Sequence, residues 1–567
     1  MISQTKTKVK SWSTLLNLVF VAHLIVIGLV VTGILPRSVV PYWTLVLAIY
    51  VLAVPLEDTT TFFVRSIPFF IAIPLTAHLD SLNMWRILSG LIFLKWFFKT
   101  KIPTRTLTYI FRNIQVSFYH DRDRVKPGQT SSFVSKNKSG NKSESKSENK
   151  IESKVAAALF LLLLLAILSV ARAQSYALAV KRIIYFINLS LVGIVIHDLV
   201  RKNQEFGQRL IKNIAIPTIL VAVIGMVQLA TVYFMDIFQF VDFWGGVVER
   251  NLFGNVWAET AIRANTWFAY FGDQLSLRMF SIFPDSHSFP IFLLLGLPAV
   301  FALALHKVVS KGPRSLRAML RTRASLLVVF IPVIFLAAIL TSTRGIWAAS
   351  PIVTILALFL IVRHRMLYMY DIRCRTIFAY IASYLAVFFL LFGLAYYIIA
   401  TDQFQMSKGD STLFGKRVRS LIDIGETSNA RRLEVWKASI HSIIKHPLLG
   451  VGIGNFPVVV GENLARAKAG SSAHNLYLNI AAEIGLPALF LALWFLWLLL
   501  KKTYSNFLNA QHSMLNAIYF ASLLIFLPWI LIYSLTDITL TDERAFLLFV
   551  TTAALILGEK ENGQAAA

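Results

Sequence analysis

The sequence is poor in cysteine and in charged residues. Its 567 residues include one cysteine, Cys374, so the chain alone cannot form an internal disulfide, a multi-thiolate zinc site or an iron–sulfur cluster. Only 15% of the residues are charged, whereas 56% are hydrophobic and the mean hydropathy is +0.65. This balance excludes a set of soluble domains and indicates a protein embedded in a bilayer.

Acidic residues are scarce relative to basic ones. The chain has 55 Lys and Arg against 29 Asp and Glu, a formal net charge of +26. Such an excess is typical of nucleic-acid binding, but no basic segment here is long enough to form a soluble domain, so we expect no nucleic-acid partner. We interpret most of the charge as a topological signal, with some attraction to anionic membrane lipids.

Long apolar runs separated by polar breaks dominate the chain. A helix needs roughly 20 mostly apolar residues to cross a hydrocarbon core about 30 Å thick, and about fourteen runs meet or approach this length. They are predicted at 13–35, 41–56, 62–79, 83–98, 155–174, 180–200, 211–234, 288–306, 324–342, 346–363, 377–400, 474–500, 514–535 and 545–558. The first run lacks a small-residue cleavage site and is predicted to be a retained anchor.

The charge of the connecting loops orients these runs, because Lys and Arg collect on the cytoplasmic side. With the N-terminus inside, that side receives the basic segments 99–154, 201–212, 306–323, 363–375 and 501–502. The sequence therefore predicts an all-α polytopic protein of the inner or plasma membrane, with both termini cytoplasmic. Its large extracytoplasmic loop, 401–473, is predicted to contain an amphipathic helix.

Composition divides the chain into three predicted parts. Residues 1–98 form N-terminal transmembrane helices, and 155–567 form the main transmembrane domain. Between them, 99–154 is a basic cytoplasmic linker. Its tract Ser131 to Lys154 is rich in Ser, Lys, Asn and Glu and is predicted to be disordered, because it has almost nothing apolar to bury.

Several arginines lie on the predicted outer side, against the usual bias. A polyanionic substrate at the outer face would account for them. They are Arg263, Arg278, Arg344, Arg417, Arg419, Arg431, Arg432 and Arg466.

The extracytoplasmic loop ends in the pattern of a surface helix. Apolar residues recur at helical spacing up to His446, and Arg431 and Arg432 lie in the predicted first turn. The positive end of a helix dipole disfavours arginine there unless an anion is also bound. Two interpretations stay open, a bound phosphate or pairing of Arg432 with Asp423 or Glu426.

Two residues at predicted outer ends of apolar runs are further candidates for chemistry. His474 begins the twelfth run, where it is placed to act as a base or hydrogen-bond donor near neutral pH. Arg344 precedes Gly345, and we expect this glycine to leave room for a bulky ligand close to the backbone. A snorkelling arginine at the membrane boundary is the alternative.

Two other patterns have competing interpretations. The aromatic residues around Trp267 and Tyr270 are able to stack on sugar rings, but an interfacial aromatic belt uses the same residues and is the favoured interpretation. The glycines of 450–454 are spaced G-x-G-x-G rather than as a dinucleotide-binding G-x-G-x-x-G loop, and no strand precedes them. They are predicted to form a tight turn that returns the chain toward the membrane.

Taken in chain order, these motifs resemble the O-antigen ligase and O-antigen polymerase superfamily of bacterial polysaccharide membrane proteins. The segments that carry the resemblance are Thr341-Ser342-Thr343-Arg344-Gly345, 446–456 (HPLLGVGIGNF), Ala473-His474-Asn475-Leu476-Tyr477-Leu478 and Glu483-Ile484-Gly485-Leu486-Pro487. Arg278 with Phe283 and Pro284 is similar to the family's earlier arginine segment, and Asp542 to Phe546 to its closing segment. The resemblance covers roughly residues 210 to 558.

The resemblance implies an integral-membrane glycosyltransferase of cell-envelope lipopolysaccharide or exopolysaccharide biosynthesis. It would transfer a glycan from an undecaprenyl-diphosphate carrier to an acceptor glycan or glycolipid at the extracytoplasmic face. His474 and Arg344 would be catalytic. The residues expected to hold the diphosphate are Arg278, Arg344, Arg431 and Arg432, and those expected to contact the acceptor or glycan are Trp267, Tyr270 and Asn475.

We expect neither a metal nor another cofactor in this reaction. Arginines supply delocalised positive charge to a diphosphate leaving group without a metal. The first predicted outer loop, Arg37 to Tyr42, has no acidic residue that would ligate one. Direct displacement by the acceptor hydroxyl would invert the configuration at the anomeric carbon.

Two alternatives to a ligase stay open. A polymerase of the same superfamily uses the same donor and adds the glycan to another lipid-linked repeat, and the ligase is favoured only slightly because segments 341–487 have its clearest form. A flippase or other polytopic transporter would place ionisable residues near the midplane, often in two repeated halves. The sequence shows no such repeat.

Overall fold

The protein is described by a computed structural model. The described residues are 2–76, 82–100, 139–264, 266–271, 274–311, 324–367, 372–404, 415, 427–462, 471–510 and 513–560. They are mostly helical, with two short antiparallel strand pairs, which supports the predicted all-α membrane protein. The predicted positions Arg417, Arg419, Arg466, Asp423 and Glu426 lie outside these residues.

The main helices are numbered here in chain order. They are α1 (Ile2–Val31), α2 (Val39–Ala53), α3 (Leu56–Ser66), α4 (Met84–Lys99), α5 (Ser139–Ser169), α6 (Tyr176–Lys202), α7 (Gln204–Thr231), α8 (Asn255–Ala264), α9 (Ser288–Lys311), α10 (Ala324–Leu340), α11 (Arg344–Leu367), α12 (Ile372–Ala400), α13 (Thr427–Lys445), α14 (Leu476–Ile484), α15 (Leu486–Asn509), α16 (Met514–Tyr533) and α17 (Glu543–Gly558). The strands are β1 (Ala72–Ile73) with β2 (Leu82–Asn83), and β3 (Phe268–Phe271) with β4 (Gln274–Leu277). A π-helix (Val241–Glu249) precedes α8.

Nine helices of the described residues are long and apolar enough to cross a membrane. Four more predicted runs form the helices α2, α4, α10 and α17, which have 15, 16, 17 and 16 residues. The prediction of about fourteen spanning helices is therefore only partly supported.

The run predicted at 62–79 is not a spanning helix, and that prediction is wrong. Helix α3 ends at Ser66, a 3-10 turn contains Pro68, and the chain continues into β1. Proline lacks an N–H group and cannot extend the helical hydrogen bonding. This non-helical backbone is buried among other parts of the protein, which is where a bilayer tolerates it.

Two further predictions differ from the structure. The run predicted at 474–500 is broken into α14 and α15 at Gly485, whose φ is +101° and whose missing Cβ would lie 2.2 Å from the Leu448 carbonyl oxygen. The tract predicted to be disordered is helical from Ser139 onward. It contains no proline and continues directly into the apolar part of α5, so the helix propagates through it.

Helix α9 is the centre of the packing, and its residues Ser288–His306 are almost completely buried. It packs against α7, α10, α16 and α17, while α6 packs against α4 and α17. Contacts between the connecting segments place the starts of α9, α11 and α17 and the ends of α10 and α16 at one end of the bundle.

Candidate active site

Backbone hydrogen bonds join the loops at this end of the bundle. The Met279 N–H donates to the Leu340 carbonyl at 3.0 Å, and the Leu476 N–H donates to the Ser534 carbonyl at 2.8 Å. These bonds tie the segment before α9 to the end of α10, and the start of α14 to the end of α16. Residues far apart in the sequence are thereby held around one place.

Arg278 is one of the residues held there, and it is only 9% exposed. Its Nε donates to the Thr341 carbonyl oxygen at 3.2 Å, and its Nη2 lies 3.1 Å from His287 Nε2. Because a guanidinium only donates hydrogen bonds, His287 Nε2 accepts this one and carries no proton. Burial lowers the pKa of Arg278 to about 10, so its guanidinium stays charged at neutral pH.

Aspartates surround this arginine. Asp537 Oδ2 lies 3.8 Å from His287 Nε2. Asp285 accepts backbone hydrogen bonds from His287 and Ser288 at 2.8 and 2.7 Å and so caps the start of α9. The negative charges of both aspartates oppose the lowering of the Arg278 pKa. They stabilise a buried cation that would otherwise lack compensation.

Arg344 begins α11 next to Arg278, since its charge acts on the pKa of Arg278. It is half-buried. The prediction that Gly345 leaves room for a ligand is wrong. A Cβ at Gly345 would lie 2.1 Å from Thr536 Oγ1 and 2.7 Å from the Tyr533 ring, so the glycine allows the close packing of α11 against the end of α16.

His474 lies in the same cluster, on the segment that enters α14. Its backbone is left-handed, with φ +46°, and its N–H donates to Ser472 Oγ at 3.3 Å. The next residue, Asn475, caps α14 by accepting hydrogen bonds from the Tyr477 and Leu478 N–H groups. Asn475 therefore fixes the direction in which the chain leaves His474, and its contact with an acceptor stays a prediction.

The electrostatic surroundings keep His474 neutral. Part of the side chain is exposed, yet the protein around the ring lowers its pKa below the usual 6.5, and the positive charges of Arg432 and Arg431 act in the same direction. Asp537 opposes them. The imidazole is therefore a free base at neutral pH, which is the protonation state that can take a proton from a hydroxyl.

Helix α13 brings Arg431 and Arg432 to this cluster. Trp436 Nε1 donates to the Ala473 carbonyl at 2.9 Å and so fastens the helix to the His474 segment. Arg432 is half-buried and Arg431 is exposed. The helix starts at Thr427, one turn earlier than expected, so the prediction that both arginines lie in its first turn is wrong.

The glycines of 450–454 pack against backbone rather than against a phosphate. A Cβ at Gly450 would lie 2.3 Å from the Ala482 carbonyl oxygen, and one at Gly452 would lie 2.6 Å from Ala173. Asn455 Oδ1 accepts the Ser175 N–H at 2.8 Å. The motif therefore docks segment 450–455 on α14 and on the turn between α5 and α6, in agreement with the predicted tight turn.

The aromatic candidate Trp267 is packed inside the protein. It is 1% exposed, stacks on Phe280 at a centroid distance of 4.6 Å, and donates its indole N–H to the Pro284 carbonyl. Its contact with a glycan stays a prediction, and the packing of the ring does not favour it. The Tyr270 side chain lies outside the described part of the structure. Arg263 is exposed on α8 and lies 3.9 Å from Glu259.

The structure adds residues that the sequence analysis missed. His287 and Asp285 follow the arginine segment, and Asp537 follows the end of α16. Tyr533 is buried at the end of α16, and its ring lies against Gly345 of α11. The Asp285-Ser286-His287-Ser288 pattern before an apolar run was a readable helix-start signal that pointed to this segment.

A metal site is not evident in the described part of the chain, where no group of three or more His, Cys, Asp or Glu side chains is arranged to hold one. The cluster can instead bind an anion through its arginines and accept a proton at His474.

Comparison with known proteins adds one finding. Residues 326–493 match the family model for O-antigen ligase. This confirms the resemblance to the O-antigen ligase and polymerase superfamily, over a shorter range than the motifs indicated. The matched range includes Arg344, Arg431, Arg432 and His474 but not Arg278. No curated protein matches this chain.

Proposed function

We propose that this membrane enzyme, whose residues 326–493 carry an O-antigen ligase domain, transfers a glycan from an undecaprenyl-diphosphate carrier to an acceptor glycan or glycolipid. The reaction takes place at the extracytoplasmic face of the inner or plasma membrane. The observation that carries this proposal is the convergence of four arginines with one neutral histidine at a single end of the bundle.

The arginines match the charge that develops on a diphosphate leaving group. Arg278 is oriented by the Thr341 carbonyl and by His287, and Arg344 lies beside it. Arg431 and Arg432 act on the same cluster from α13. Because such preorganised cations need no rearrangement as the bond breaks, they stabilise the transition state without a metal.

His474 is placed to activate the acceptor. The acceptor hydroxyl oxygen forms a bond to the anomeric carbon while the bond from that carbon to the diphosphate oxygen breaks. The hydroxyl proton passes to the neutral imidazole of His474, and the arginines hold the departing diphosphate. A single displacement of this kind inverts the anomeric configuration.

We also propose that the chain crosses the membrane between α3 and α4, although 62–79 is not a helix. Asn203 contacts Glu57 at the start of α3 with an N–O distance of 3.3 Å. Asn83, just before α4, donates to Glu543 at 2.8 Å. Asn203 and Glu543 lie at opposite ends of the packed pair α6 and α17, so the chain reaches the other end between these two contacts.

A ligase and a polymerase differ in the acceptor that receives the glycan, and the cluster fits both reactions. The ligase is our first proposal and the polymerase the alternative. A transporter is disfavoured because the four arginines and His474 collect at one end of the bundle rather than near the midplane.

The test is a glycan profile of a deletion strain that is complemented with wild type or with His474→Ala. We expect His474→Ala to behave like the deletion while the protein is still inserted, because it removes the base and leaves the arginines. Long glycans stranded on the lipid carrier would identify a ligase. Single repeats on the final acceptor would identify a polymerase.

His441→Ala is the matched control, since His441 is an exposed histidine on α13. This variant is expected to restore the wild-type profile. Normal glycans with His474→Ala would remove the assigned role of His474. Normal glycans in the deletion strain itself would overturn the transferase and favour transport.

A further inference from the structure

A second pair of arginines lies at the same end of the bundle, outside the range that matches the ligase family. Arg86 is in the first turn of α4 and Arg182 is in the second turn of α6. Their guanidinium carbons lie 5.8 and 5.4 Å from the centroid of the same ring, that of Tyr185. The Tyr185 hydroxyl is fixed by donating to the Thr541 carbonyl at 3.2 Å.

Neither arginine of this pair forms an ion pair with a carboxylate of the described residues. Among the described residues, no carboxylate oxygen lies within 4.0 Å of either guanidinium. The Nε of Arg86 is buried and has no hydrogen-bond partner. Donors of this kind are costly to bury unless a ligand accepts from them.

The neighbouring carboxylates are already engaged by other groups. Glu543 accepts a hydrogen bond from the Asn83 side chain at 2.8 Å. Glu483 accepts them from the backbone of Gly454 and Phe456. These acids moderate the positive charge of the pair from a distance but leave the guanidinium N–H groups to another acceptor.

The helix dipoles add to the positive potential at this place. Both α4 and α6 begin here, and neither has an acidic residue in its first turn. The partial positive charge of a helix start favours an anion, so arginines there are unfavourable without one. Two helix starts and two guanidiniums therefore point to one anionic ligand.

The position of the pair relates it to the candidate active site. The charge of Arg182 acts on Asp542, and Asp542 also interacts with Asp285 and Asp537 of the cluster. The pair is therefore close to the cluster. Leu178, one turn before Arg182 on the same face of α6, is 39% exposed, so the surface beside the pair is open.

We infer that Arg86 and Arg182, with Tyr185 between them, bind the phosphate of an anionic glycolipid that acts as the acceptor. This inference rests on the proposed function, in which two membrane-anchored substrates must meet. The arginines around His474 take the donor diphosphate, so a separate anion site is needed for an acceptor that carries phosphate. Arginine is suited to it because its planar donors match phosphate oxygens.

The test measures binding to the full-length protein in phosphatidylcholine nanodiscs. The probes are a bisphosphorylated disaccharide lipid (lipid A), the same lipid without its phosphates, and phosphatidylglycerol. We expect the bisphosphorylated lipid to bind wild type more tightly than either other probe. The double variant Arg86→Gln, Arg182→Gln is expected to raise its Kd at least tenfold, roughly the loss of one charge-assisted hydrogen bond.

Arg263→Gln is the matched control, because it removes an exposed arginine from α8 at the same end of the bundle. Its Kd should equal that of wild type. The double variant should keep the thermal unfolding midpoint of wild type, which shows that it is folded, and it should still bind undecaprenyl diphosphate. If the double glutamine variant is not folded, the variant Arg86→Lys, Arg182→Lys replaces it in the test. This variant keeps the charges without the planar donors and should also bind the bisphosphorylated lipid more weakly than wild type does.

Three outcomes would overturn the inference. The first is an unchanged Kd in both double variants. The second is equal binding of phosphatidylglycerol with equal loss in the variants, which would identify a site for bilayer headgroups. The third is that a folded double variant no longer binds undecaprenyl diphosphate, which would make Arg86 and Arg182 part of the donor site. Because no turnover is measured, these outcomes are separate from failure of the His474→Ala test.

Discussion

At the scale of single residues, the pKa of His474 decides the pH range in which it can act as a base. Burial, Arg432 and Arg431 lower that pKa, and Asp537 raises it. A base is active when deprotonated, so the acid limb of the kcat/KM profile should lie below pH 6.5. Protonation of His474 would stop proton transfer at lower pH.

Substitutions of the charged neighbours should move this acid limb in opposite directions. Arg432→Gln removes a positive charge, so the pKa of His474 should rise and the limb should move to higher pH. Asp537→Asn removes a negative charge and should move it to lower pH. The profile of each purified variant checks this, with Lys437→Gln as an exposed control on α13.

Arg432→Gln is also expected to lower the rate, because Arg432 is expected to hold the diphosphate. The pH at which the acid limb lies does not depend on the absolute rate, so it still reports the pKa of His474. An acid limb that stays in place in both variants would contradict His474 as the titrating base. A shift of the same sign in both would contradict the electrostatic account of its pKa.

Individual site residues were readable from the sequence where topology made them unusual. Arg344, Arg431, Arg432 and His474 were conspicuous because cations are rare on the predicted outer side. The structure brings them together, and their roles stay predictions. His287 was missed because its position depends on a contact with Arg278 across a turn. The burial of Trp267 was not readable, because no sequence pattern distinguishes a buried ring from a belt residue.

At the scale of the elements, the glycine motif holds segment 450–455 against α14 and the turn between α5 and α6. Gly452 has φ +97° and lies against Ala173. We expect Gly452→Ala to destabilise the protein by about 3 kcal/mol, through both backbone strain and a clash with backbone atoms. Thermal unfolding of the detergent-solubilised protein measures this as a lower midpoint temperature.

Gly461→Ala separates the two causes, because Gly461 also has positive φ, +72°, but nothing lies within 4 Å of its missing Cβ. Gly461→Ala should therefore be destabilised by backbone strain alone, by about 1 kcal/mol. Equal midpoints for the two variants would show that the contact with Ala173 contributes nothing.

Helix positions were predictable because the apolar runs are long, but their breaks were not. Gly485 divides α14 from α15 because the Leu448 carbonyl fills the place of a side chain. Pro68 marked a break in 62–79 that hydrophobicity concealed. A bilayer excludes irregular backbone only where lipid contacts it, and the sequence does not reveal which segments are covered by protein.

At the scale of the whole molecule, buried polar contacts join the N-terminal helices to the rest of the chain. Arg544 donates to the Phe70 carbonyl at 3.1 Å and to the Ile282 carbonyl, and Asn251 donates to the Val30 carbonyl at 2.9 Å. The segment 1–98 is therefore packed into the main domain. This arrangement also places Arg86 beside the candidate active site, although 1–98 lies outside the family match.

The orientation of this assembly follows from loop charge and can be tested with the chain's one cysteine removed. In a Cys374→Ser background, Lys437→Cys on α13 should react with a membrane-impermeant maleimide in intact cells, because the candidate active site is expected outside. Glu205→Cys at the start of α7 should react only after permeabilisation. Both positions are exposed, so access to the reagent depends on the side of the membrane.

The reverse labelling pattern would contradict the proposed topology, since it would place the arginines and His474 in the cytoplasm. A lipid-linked glycan would then have to react before it is moved across the membrane. The basic segments 201–212 and 306–323 would also lie outside, against the bias of Lys and Arg for the cytoplasmic side. Labelling of both cysteines in intact cells would instead indicate leaky cells, which Glu205→Cys detects within the same experiment.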